Sequence, residues 1–335
     1  MDMRFSGPAA ADSLAKASYD PKKLAALHTG CALLVSLVLT ILSFALNRGI
    51  DSTAGIANLG NRAILSTAQS VLTLAGNLAL PFWEIGFLFA ALSWAQGRSA
   101  GPRDLLEGFR RMGAVTRLYL LQLGLYMGVA FLCLQGASVI FSLTPFYETS
   151  MESVQTVVDA AIEQGATTLD AVIIEQLLPA IIPIYVIFLV LFAVVAIPLF
   201  YRFRMAQFSI MDDAPGARKA MAASARMMRG NAFSLFRLDL RFWWYFAAQL
   251  LIAGVAWLDA LLPAIGVHLP VSEDVLFFAV YGLHLVLQLA LAWSFAARVQ
   301  TTYAHCYVAM KAAVPPPPQP PMPKNPWQQN TDQRP

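Results

Sequence analysis

Glu84, in the run Pro81-Phe82-Trp83-Glu84-Ile85-Gly86, and His284, in Tyr281-Gly282-Leu283-His284, lie deep inside long apolar stretches. An ionisable side chain in such surroundings must face other helices and find a partner, or give up its charge. Both positions fall roughly 20 Å along their helices from one common end, at 1.5 Å per residue. An acid and an imidazole at equal depth can line a polar cavity for a proton, an ion or a headgroup. They can equally serve as hydrogen-bonding groups between helices. Asn77 is a third candidate for an intramembrane polar site. With Gln122, Gln135, Gln249 and Gln288 it can also bind helices together, each amide contributing about 0.6–2 kcal/mol.

Other chemistry is poorly represented. The chain has no P-loop, no glycine fingerprint for a nucleotide, no HExxH and no GxSxG. Its 4 histidines and 3 cysteines have no metal-ligand spacing, so neither a metal site nor a cofactor nor a catalytic set is expected.

The elements that must hold these residues follow from hydropathy. Six apolar segments run near 24–46, 72–96, 117–143, 179–201, 242–266 and 275–298. Hydrophobic residues make up 58% of the chain and charged residues 13%, too few to cover the surface of a soluble protein of this size. A 23-residue helix such as Leu24–Leu46 spans roughly 34 Å and crosses a hydrocarbon core of about 30 Å. The fold expected is an all-α polytopic membrane protein with six transmembrane helices. It divides into an N-terminal arm (1–23), a six-span domain (24–311) and a Pro-rich tail (312–335), expected to be disordered.

Basic residues set the orientation. Of 23 Lys and Arg, all but Arg48 and Arg62 fall in the arm, the tail and alternate connections. By the positive-inside rule these are cytosolic, so both termini face the cytosol of an inner membrane. The net charge of +3 is thereby explained by topology, and no nucleic-acid partner is expected.

Amphipathic helices are expected at both interfaces. On the outer side, 51–70 reads as an interfacial helix feeding the second span, and 151–178 as two short helices broken at Gly165. On the inner side, Pro102 suits the first turn of a short helix, and 217–229 a helix stopped at Gly230-Asn231. Pro81, Pro183 and Pro198 are expected to kink or end helices. Gly124 and Gly128 form a GxxxG element for close helix approach, within the bundle or between subunits. Arg117, Arg237, Arg241, Trp243 and Trp244 lie where basic and aromatic side chains meet lipid headgroups.

The run Ser224-Ala225-Arg226-Met227-Met228-Arg229-Gly230-Asn231, followed by Leu235-Phe236-Arg237-Leu238-Asp239-Leu240 and Trp244, resembles the hallmark of a bacterial integral membrane family. That family is catalogued as domain of unknown function 975. Ile85-Gly86, 104–110 and Met211-Asp212-Asp213-Ala214-Pro215 add to the likeness, which covers most of residues 24–311. The chain departs from the family pattern at Arg241-Phe242 and Pro263-Ala264. The resemblance implies a six-span bacterial membrane protein and no settled activity. A looser likeness to the membrane domain of glycerophosphodiester phosphodiesterases hints at lipid handling.

The expected function is non-enzymatic: transport or accommodation of a small solute or lipid through a polar bundle interior. The alternative is a scaffold or accessory subunit of another membrane complex, or of a second copy. The first reading requires a cavity and the second a sealed, dry bundle.

Overall fold

A computed structural model of the chain describes residues 6–52, 59–163, 171–213, 216–264, 267 and 270–314. The Pro-rich tail and the expected break at Gly165 lie outside the described residues. The described elements are all helical. In chain order they are α1 (Ser6–Ala15), α2 (Pro21–Ser52), α3 (Leu59–Ala95), a 3₁₀ turn (Pro102–Leu106), α4 (Glu107–Arg110), α5 (Met112–Ser142) and α6 (Phe146–Glu163). There follow α7 (Ala171–Phe203), α8 (Ala206–Asp212), α9 (Ala217–Met228), α10 (Ala232–Arg241), α11 (Trp243–Val255), α12 (Leu258–Ala264), α13 (Glu273–Leu291), a π turn (Ala292–Ala296) and α14 (Ala297–Ala313).

Among the described residues, five helical stretches are long and apolar enough to cross a bilayer: Pro21–Leu46, Ala63–Ala95, Met112–Ser142, Ile181–Asp212 and Asp274–Ala313. They match five of the six expected spans, leaving no more than two residues of any of these five uncovered. The remaining one, expected over 242–266, is built as α11 and α12. At 13 residues, α11 reaches only about 20 Å. Its end tightens into i→i−3 bonds, with Ala256 donating to Ala253 and Trp257 to Gly254. Gly254 there has no side chain to hold the helix straight.

Two expected interfacial helices do not form as separate elements. The described part of 51–70 belongs to the ends of α2 and α3, so the second span begins at Leu59 without a break. Likewise α7 starts at Ala171 and continues into its span. Neither lead-in is continuously apolar, yet both run on as helix into their spans, and Pro81, Pro183 and Pro198 all lie inside helices. The inner expectations fare differently. Pro102 opens the 3₁₀ turn, and α9 ends one residue before Arg229, with Gly230 at φ +83°. That left-handed conformation suits glycine.

The tightly packed core lies at one end of the molecule, where the basic connections gather. Trp94, Leu105, Met205, Ile210, Met211, Tyr307 and Met310 are essentially inaccessible there. They join the end of α3, the 3₁₀ turn, α8 and α14. The stretch Asp274–Ala313, 40 residues, is about 60 Å long and so runs well past a 30 Å hydrocarbon layer. Its α14 half is wrapped by α1, α3 and α9.

Toward the opposite end the spans form two groups. Helices α2, α3, α11 and α13 pack as one, and α5, α6 and α7 as the other. The substantial contacts of α5–α7 outside their group are to the short helices α4, α8, α9 and α10 at the basic end. The first group is laced by Tyr281, whose hydroxyl meets Ser36 Oγ at 3.0 Å and accepts from Thr40 Oγ1 at 3.1 Å. Arg48 pairs with Asp274 in the same seam. Gly124 and Gly128 on α5 would accept a Cβ with nothing within 4 Å, so their face is not used for packing inside this bundle.

Candidate functional site

Between the two groups, toward the basic end, lies a cavity of about 490 Å³, within the 300–1,000 Å³ typical of small-molecule sites. Helical periodicity explains its lining, because residues three or four apart share a face. Helix α3 presents Glu84, Phe87 and Leu88; α5 presents Gln122 and Tyr126. Helix α11 supplies Tyr245 and Gln249, and α13 supplies Gln288 one turn before Leu291 and Ala292. Helix α14 adds Val299, Gln300 and Tyr303. On α5, α11 and α14 a glutamine and a tyrosine stand one turn apart, so amides and aromatic hydroxyls converge from separate helices.

The π turn Ala292–Ala296 falls at this wall, with both of its terminal alanines lining the space. Such turns insert a residue into a helix and re-aim its face, often at functional sites. Here it changes the register between Gln288 and Gln300 so that both face the cavity.

Glu84 lies about 16 Å from the end of α3 at Ala95, counted at 1.5 Å per residue. Its side chain is exposed to the open space, and among the described residues its carboxylate makes no hydrogen bond or ion pair. His28 on α2 stacks against Phe87 at 4.7 Å and Trp83 at 5.9 Å. Trp83 Nε1 donates to the His28 carbonyl at 2.8 Å, fixing α2 on α3. The imidazole Nε2 of His28 is buried and has no hydrogen-bond partner among the described residues. Gln249 Nε2 donates to the Tyr245 hydroxyl at 3.0 Å, and Gln207 Nε2 to that of Tyr119 at 3.2 Å.

Arg204 also faces the cavity, but its charge is engaged. Asp239 of α10 pairs with the guanidinium and accepts from the hydroxyls of Tyr201 and Tyr303, each at 2.5 Å. The guanidinium lies over the Tyr303 ring at 4.5 Å. This cluster ties α7, α10 and α14 together at the joint between the two groups.

Of the candidate residues from the sequence, Glu84 lines the cavity and His284 does not. His284 Nδ1 donates to the Ile252 carbonyl at 2.8 Å, joining α13 to α11, and among the described residues it makes no hydrogen bond to Glu84. Asn77 belongs to α3, and its side chain lies outside the described residues. Arg117 is exposed on α5, and Arg237 stacks on Phe233 at 4.6 Å. Trp243 is 65% exposed, and Trp244, 37% exposed, meets Phe295 edge-on at 4.6 Å. Arg241 and Trp244 line a smaller recess of about 240 Å³ with Arg298.

Sequence reasoning missed His28, Tyr126, Arg204, Gln207, Asp239, Gln300 and Tyr303. It assigned Gln122, Gln249 and Gln288 to helix association, whereas all three face the cavity. One signal was present: glutamine and tyrosine recur at helical spacing in three separate segments, two of them apolar runs.

The fold and the site define a helical polytopic membrane protein with a polar, aromatic cavity between two helical groups. Comparison with protein-family models, with curated proteins and with solved structures finds no match to this chain.

Proposed function

We propose that this protein binds a small solute or lipid in the cavity at Glu84 and passes it across or within the bilayer, without chemical conversion. The observation that carries the reading is the cavity itself: a sealed bundle has no use for an unpaired carboxylate and converging amides at membrane depth. The two helical groups offer a means of movement, since they meet chiefly at the basic end and can rock about it. We place that end in the cytosol of a bacterial inner membrane. The likeness to the family of unknown function 975 fits this assignment.

Native mass spectrometry after extraction into mild detergent or nanodiscs tests the reading. A stoichiometric small molecule is expected on the wild type and is expected to be lost from Glu84→Gln and from the cavity-filling Ala296→Phe. Equal retention by all three proteins overturns the assignment. The accessory-subunit reading draws on the open Gly124–Gly128 face. It expects a bare bundle that travels with another protein and loses it on Gly124→Leu.

A further inference from the structure

The charge balance of the cavity selects its ligand, and this step rests on the solute-binding reading above. Apart from His28, the lining residues that can carry charge are Glu84 and Arg204. Arg204 is committed to the wall, held by Asp239 and stacked on Tyr303. Its positive charge is matched before any ligand arrives, and its position is fixed by three helices. Glu84 has no such partner among the described residues. The unmatched group offered to a ligand is therefore an acid, and a cation is the partner that holds it in its charged form.

The rest of the lining agrees. Phe87 lies one turn from Glu84 on the same face of α3, and Tyr126, Phe203 and Phe246 face the space from other helices. Aromatic faces attract cations, and more strongly where water is excluded. Glutamine oxygens from Gln122, Gln288 and Gln300 can accept from N–H groups. An inorganic divalent ion is a poorer fit, since it demands several anionic or imidazole ligands. Among the described residues no group of three His, Cys, Asp or Glu is clustered to supply them. An anionic ligand meets a carboxylate and an already neutralised arginine.

We propose that the cavity takes a small organic monocation, an ammonium or comparable group on an apolar body, with its charge at Glu84 and its body among the aromatic rings. The ammonium can belong to a free solute or to a zwitterionic lipid headgroup, and the chemistry at Glu84 is the same.

The test uses the full chain in maltoside detergent, with benzyltrimethylammonium, its neutral isostere neopentylbenzene and the anion benzenesulfonate titrated by calorimetry. Wild type is expected to bind the cation at least about tenfold more tightly than either analogue, as an ion pair at Glu84 with cation–π contacts provides. Glu84→Gln is expected to abolish that preference while Glu84→Asp keeps it, which separates charge recognition from misfolding. If the neutral or anionic analogue binds as well as the cation, the cation proposal falls and solute binding stands. If no probe binds and Ala296→Phe alters nothing, both fall. Repeating the titration in nanodiscs assigns the source. Ethanolamine lipid that weakens cation binding relative to glycerol lipid places a headgroup in the cavity; equal binding leaves it to a free solute.

Discussion

Asp239 accepts from two tyrosine hydroxyls and pairs with Arg204, all with little solvent access. Such an ion pair owes little net stability to its charges, because desolvation offsets attraction, but losing one member strands the other. Asp239→Ala should therefore destabilise the protein by about 3–5 kcal/mol, the usual cost of an orphaned buried charge. The double change Arg204→Met with Asp239→Leu should recover most of that loss. Thermal unfolding in detergent checks both, and an unchanged midpoint for Asp239→Ala would show that the cluster does not hold α7, α10 and α14 together. The two residues were visible in the sequence only as an orienting charge and as part of an Arg-Leu-Asp-Leu run. Nothing in either segment says that they meet, since 35 residues and three helix boundaries separate them. Glu84 was easier, because an isolated acid in an apolar run is conspicuous whatever surrounds it. The glutamines were not, since an amide that joins two helices and one that faces a cavity have the same sequence neighbours.

At the scale of elements, the connection after α3 does not simply turn into α5. The segment 102–110 folds back along α3 and packs backbone to backbone against it. A Cβ on Gly86 would lie 1.9 Å from the Leu105 carbonyl oxygen, and one on Gly108 would lie 1.9 Å from that of Phe82. Neither neighbour is a side chain that can swing aside. Gly86→Ala and Gly108→Ala should each cost at least about 1–3 kcal/mol, the range for overpacking, and should increase proteolysis within 97–111. Gly113→Ala is the control: a Cβ there meets nothing within 4 Å, so the helix should gain about 0.5–1 kcal/mol. Because Glu84 lies between Phe82 and Gly86, displacing the returning segment should also weaken ligand binding in the two α3-contact variants alone. Pro102 announced a helix in this connection, and composition announced the long helices. The return path was hidden, since a glycine reads the same whether it faces lipid or another backbone. The π turn was equally silent, as Ala292–Ala296 looks like any continuing helix.

For the whole molecule, the structure supplies an argument about orientation that does not depend on counting spans. Helix α1, the segment 97–111, helices α8 to α10 and the end of α14 all come together at one end. These segments carry Arg98, Arg103, Arg110, Arg111, Arg218, Lys219, Arg226, Arg229, Arg237 and Arg241, with Lys311, which pairs with Asp212 and Asp213 at 2.7 Å. Arg48 lies away from this end, held by Asp274. Even the shortened α11 does not disturb this segregation, because the chain after it carries no basic residue until Arg298. A membrane carrying anionic lipid on its cytosolic face attracts that basic end by about 1 kcal/mol per basic residue near the surface. The prediction is made with single cysteines in intact cells, after subtracting labelling of the three native cysteines. Ser99→Cys, in the exposed turn after α3, should react with a membrane-impermeant maleimide only once the cells are opened. Ala160→Cys, on α6, should react from outside without permeabilisation. The reverse pattern would invert the proposed orientation and make the proposed binding site one loaded from the external side.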